Sequence, residues 1–192
     1  MGIFDRLFGG RFTLPPPDET ELSDTAILRE LRSQNAEQRQ ALKALLDLLL
    51  ARLPIEEGAR LHRRILRKYA SEGDPYTAIA DGLLDHYRGQ KLEHLVLLSV
   101  DWKGFDGFGH LAPFLVKGSG VTEPFSFVHD GASSMAQVLE ALDSWLVPFG
   151  KRYLHMDSGS DNYEGVIVEA SQLQRIEELA CLAGLRVGLQ AF

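Results

Sequence analysis

The sequence predicts an α+β or α/β fold, in which an N-terminal helical, bundle-like region precedes a mixed-sheet domain of order β-α-β-α-β-β-α-β. Three observations carry this expectation. Leu42, Leu45, Leu46, Leu49, Leu50 and Leu53 recur at helical spacing, so a wide apolar stripe must be covered. Residues 94–100 form an apolar run interrupted by Ser99, too short for a buried helix, which predicts a central strand covered on both faces. From Leu92 onward, strand-like and helix-like segments alternate between Gly- and Asp-rich turns.

Taken in order, Ile3, Phe4, Leu7 and Phe8 share one face of a short helix that Gly9-Gly10 stops, either a flap docked on the body or a small membrane- or partner-contacting anchor. Residues 14–24, LPPPDETELSD, form an extended, solvated linker. A helix is expected over 25–32, and Asn35 with Gln38 makes a capping pair that would open a second, leucine-rich one. Pro54 ends that helix and starts the next, in which Leu61, Ile65 and Tyr69 face inward and Gly73 closes. Asp74-Pro75 is an N-cap followed by proline at the first helical position, opening a fourth helix to Arg88-Gly89.

Strand 94–101 is then followed by a helix over 108–116 and a short strand over 125–129. Ser133 or Ser134 caps a helix to Leu146, and strands over 152–156 and 165–169 form a hairpin around a loop that carries Gly159. Ser171 opens a helix that ends at Gly184, and residues 186–192 form a last strand. The expected organisation is a short amphipathic helix and linker over 1–23, a helical region over 24–91 and an α/β domain over 92–192.

Composition excludes some classes. A formal charge of -7 is the wrong sign for a general nucleic-acid binder. The basic cluster Arg60, Arg63, Arg64, Arg67 and Lys68 has no interleaved aromatics for base stacking, and is expected as a solvated face balanced by neighbouring acids. The single cysteine, Cys181 in LACLAG, forms no internal disulfide and is expected buried and inert. No apolar run is long enough to span a membrane. The first ten residues lack a secretory h-region, and Arg6 breaks the myristoylation pattern, so the cytoplasm is the expected compartment.

Polar groups gather at three predicted strand ends: 101–110, 129–130 and 155–161. The candidate binding rim is Asp101, Trp102, Lys103, Asp106, His110, His129, Asp157, Asp161 and Tyr163. Strand C-terminal edges are where open α/β sheets take ligands. Trp102 either packs as a lid over the sheet's end or offers a stacking surface. DSGSDN spaces Asp157 and Asp161 as a calcium loop would, yet Glu169 falls one residue beyond the closing position, and a hairpin turn accounts for the same residues. No HExxH, Walker A, GxSxG or GxGxxG pattern is present. Catalytic residues, cofactor and oligomeric state are unassigned, and no metal site is assigned.

The segments VLLSVDWKGFD and YLHMDSGSDNYEGVIV, with the following helix ending in AGL, resemble a family of bacterial proteins known as a domain of unknown function. The resemblance covers roughly the C-terminal hundred residues and implies a small intracellular α/β domain, with no catalytic residues carried over.

Two functions fit these features. One is a non-enzymatic protein-binding or regulatory module, immunity-like by analogy, taking a basic protein partner. The alternative is a metal-dependent hydrolase using Asp101, Asp106, His110, Asp157 and Asp161.

Overall fold

The computed structural model describes residues 24–192 apart from Asp130, with side chains from Asn35 onward. The amphipathic turn and most of the linker expected within 1–23 lie outside the described residues. Two compact units divide the chain, 1–35 and 36–192.

The architecture is α+β: six α-helices and one four-stranded antiparallel sheet. The first helix, α1 (Asp24–Leu49), runs without a break at the Asn35–Gln38 pair, so no second helix opens there. A capping pair acts only where the chain leaves helical geometry, and the stripe through Leu42, Leu45, Leu46 and Leu50, all buried, carries the helix on. Pro54 is the N-cap of α2 (Ile55–Glu72), which buries Leu61, Ile65 and Tyr69 and ends at left-handed Gly73. Asp74 caps α3 (Pro75–Leu84) by accepting from the Thr77 amide at 2.6 Å. This helix stops short of the expected Arg88, because Asp85 accepts from the amides of Tyr87 and Arg88 and turns the chain. Three of the basic residues of α2 are paired with acids: Arg60 with Glu57, Arg64 with Asp85, and Lys68 with Glu72 and Asp81.

The apolar run forms a 3-10 turn at Leu92–His94 and then β1 (Leu97–Asp101). The sheet order is β1-β3-β2-β4, with β2 (Lys151–Met156), β3 (Asn162–Glu169) and β4 (Val187–Gly188). The expected central strand is therefore an edge strand. Its faces are nevertheless both covered: Leu97 belongs to a core shared by α1, α2, α3 and α6 (Leu173–Ala183), while Leu98 and Val100 belong to a core with α4 (Phe105–Gly118) and α5 (Met135–Leu146). Its open edge is occupied by Gln90, whose amide oxygen accepts from the Val96 and Leu97 amides and whose nitrogen donates to the Leu97 carbonyl.

β2 and β3 form the expected hairpin, and β3 lies between β2 and β1. The mixed sheet is corrected to a wholly antiparallel one. Residues 125–129 form no strand of the sheet. Phe125 and Phe127 turn inward onto Phe108, and Phe125 also meets Trp145, so the alternation marks two-sided exposure rather than a ladder. Ser134 and Gln137 form the capping box of α5. Gly184 terminates α6 in left-handed geometry. The buried stripe of α6 is Ile176, Leu179, Ala180 and Ala183; Cys181 lies off it and is exposed, correcting the buried thiol.

Candidate functional site

Antiparallel pairing brings three chain ends to one edge of the sheet. Asp101 pairs with Asn162 and Met156 with Glu164, so β1 and β2 finish where β3 begins, and loop 157–161 overhangs that edge. The loop is held by its own side chains. Asp157 Oδ1 accepts from the Gly159 amide at 2.9 Å, Ser158 Oγ accepts from the Ser160 amide and donates to the Asn162 carbonyl, and Gly159 has φ 63°. Asp157 also pairs with Arg186 at 2.7 Å, and the Arg186 guanidinium lies over the Phe192 ring.

Between these elements is a cavity of about 570 Å³ lined by Trp102, His155, Asp157, Asp161, Tyr163, Glu164 and Phe192, with the backbone-capping serines of the loop. No lysine or arginine is among its described lining residues. Trp102 is half exposed. His155 is paired with Gly165, two residues from Tyr163 on the same sheet face.

Of the rim expected from sequence, the structure gathers Trp102, Asp157, Asp161 and Tyr163 around this cavity. Asp101, Lys103, Asp106, His110 and His129 are not among its lining. Asp101 accepts from the Lys103 amide at 2.9 Å and shapes the turn into α4. The Lys103 ammonium sits 4.1 Å above the Trp102 ring. Asp106 is exposed in the first turn of α4, His110 lies near Phe114 on the same helix, and His129 stacks on Phe105 with centroids 3.7 Å apart. Asp130 lies outside the described residues. No group of three or more His, Cys, Asp or Glu residues among those described could hold a metal ion.

Three contributors were not singled out from sequence. Glu164 is 3% exposed and accepts from Tyr76 Oη and Ser99 Oγ, each at 2.9 Å, which ties α3, β1 and β3 together beneath the loop. A lone acid leading into GVIV was its only sequence signal. Burial, with the hydrogen bond to Glu164 adding to it, pushes the Tyr76 phenol well above its usual range. His155 is 4% exposed, and burial pushes its imidazole down to about 4, against a small opposing pull from Asp143. No hydrogen bond to the His155 ring is made among the described residues; its neighbour is the edge of Tyr153 at 4.9 Å. Phe192 arrives because the expected strand over 186–192 pairs only at Val187–Gly188 before the chain turns to the cavity.

The model of a family described as a domain of unknown function (DUF6630) matches residues 25–192. The chain belongs to this family. The match takes in the helical region as well as the segments that carried the resemblance, in keeping with the core that α1, α2 and α3 share with the sheet. No curated protein and no solved structure matches the chain. No helix among the described residues is long and apolar enough to cross a membrane.

Chemically, the site combines carboxylates, aromatic faces and an uncharged imidazole. Carboxylates attract cations, and the faces of Trp and Tyr add cation–π attraction.

Proposed function

We propose that the protein is a non-enzymatic binding module that receives a basic segment of a protein partner at the Trp102 edge of its sheet. The supporting observation is the cavity itself: Asp157, Asp161 and Glu164 line it together with Trp102, Tyr163 and Phe192, with no lysine or arginine among the described lining residues. The net charge of -7 adds a long-range field of the same sign, which steers a basic partner inward. A regulatory role suits a surface that captures a partner's cation without a catalytic constellation.

Calorimetric titration of the full chain with short basic and acidic peptides tests this. The basic peptide should bind with an affinity that falls as salt is raised, and Asp161→Asn should weaken it. Equal behaviour of the two peptides would refute the function. The metal-dependent hydrolase has less support, because Asp106 and His110 lie on α4, away from the cavity lining that holds Asp157 and Asp161.

A further inference from the structure

We infer that the group this cavity selects is a guanidinium, so that the partner's contact residue is an arginine whose planar head enters among the aromatic rings and donates to His155. The inference rests on the basic-segment function and makes it specific.

His155 is the deciding residue. It is 4% exposed, lines the cavity, and has no hydrogen-bond partner among the described residues. The ring borders the cavity with no partner among the described residues, so a donor that enters can reach its nitrogen. Its burial keeps the ring uncharged near neutral pH, which leaves one ring nitrogen as an acceptor for a cationic donor.

The shape of the surroundings separates arginine from lysine. A guanidinium is flat and weakly hydrated, and can stack on a ring while sending N–H groups in its own plane to acceptors on different sides. Here the acceptors are separated in that way, with His155 on β2 and the Asp161 carboxylate on the loop. A lysine ammonium is strongly hydrated and offers no face to stack. The chain already shows the arrangement on two of the residues that border the cavity: Arg186 lies 5.1 Å from the Phe192 centroid while its guanidinium pairs with Asp157 at 2.7 Å.

The test uses the full chain and three peptides identical except for one central residue, Arg, Lys or Ala, titrated by calorimetry. The Arg peptide should bind roughly tenfold or more tightly than the Lys peptide, since one hydrogen bond to a charged group accounts for a factor of that order. His155→Phe should remove that difference, and His155→Gln, which restores an acceptor, should recover part of it. Trp102→Leu, at an exposed position that spares the core, should weaken the Arg peptide by roughly 2- to 30-fold, the range of a cation–π contact. Equal binding of Arg and Lys, both above Ala, overturns the guanidinium assignment and leaves the basic-segment function standing. Equal behaviour of all three peptides overturns both. Should His155→Phe fail to fold, an Arg-to-Lys ratio unchanged in Trp102→Leu overturns the assignment.

Discussion

Gly165 and Tyr153 provide a sharp test of how the sheet beneath the cavity is built. The Tyr153 side chain is fully buried and crosses from β2 over Gly165 on β3. A Cβ at residue 165 would stand 2.5 Å from Tyr153 Oη and 2.7 Å from the Leu154 carbonyl oxygen, and closer still to Tyr153 Cζ, where ordinary contact begins at 3.4 Å. The ring is enclosed by the core of Leu98, Phe108, Val138 and Leu142, and the carbonyl belongs to the β2 backbone, so neither can retreat freely. Overpacking of this kind costs about 1–3 kcal/mol. That is a sizeable part of a typical stability of about 5–15 kcal/mol. Gly165→Ala should therefore lower the urea midpoint with an unchanged m-value. Tyr153→Phe should have the opposite tendency. Tyr153 Oη is buried without a hydrogen-bond partner among the described residues, and removing it relieves a desolvation cost of about 1–3 kcal/mol. The double variant should remain less stable than Tyr153→Phe alone, because Cζ still blocks the added methyl. A Gly165→Ala protein within about 0.5 kcal/mol of wild type, the scale of an ordinary surface change, would mean that the ring is not clamped over β3.

Three further outcomes follow from the same contacts. Leu97 is fully buried in the core of α1, α2, α3 and α6, so Leu97→Ala should cost about 2–5 kcal/mol, whereas Asp101→Asn, exposed and still able to accept from the Lys103 amide, should cost far less; chemical denaturation of the pair checks the order. Asp143 accepts two-pronged contacts from Arg152 and a hydrogen bond from the Tyr153 amide at 2.7 Å, so Asp143→Ala should lower stability by about 1–3 kcal/mol, read as a fall in melting temperature. His155 takes up a proton near its ordinary 6.5 when unfolded and only near about 4 when folded, so stability should fall as pH drops through that interval and level off below it. The fall between pH 7 and pH 5 should be on the order of 2 kcal/mol, and a His155→Phe protein with the same slope as wild type would refute the burial argument.

What was legible in the sequence was the information that sits within a few residues. Asp74-Pro75, Ser134 with Gln137, Gly73 and Gly184 act through hydrogen bonds or backbone angles of their own turns, and each does in the structure what its local chemistry requires. The Asn35–Gln38 pair has the same local form and fails, because the buried leucine stripe that follows holds the chain in helix. The stripe of α6 could have excluded Cys181 from the core, since Ile176, Leu179, Ala180 and Ala183 already define the inner face. At the site, Trp102, Asp157, Asp161 and Tyr163 were visible as polar and aromatic groups at strand ends. Glu164 and Phe192 were not, because each matters only through partners far along the chain, and His155 stood only as the first residue of the 155–161 strand end.

Sequence by itself determined the helical N-terminal region, the β2–β3 hairpin and the burial of residues 97, 98 and 100, because periodicity and apolarity report how many faces of an element must leave water. Only the tertiary structure decided that β1 is an edge strand, that residues 125–129 form no strand of the sheet, and that His155, Trp102 and Phe192 border one cavity. The physical reason is the same in each case. Coverage of a side chain is written into its own position, whereas strand order and the meeting of strand ends depend on which backbone partners fold alongside, and a period of two along one strand carries no record of that choice.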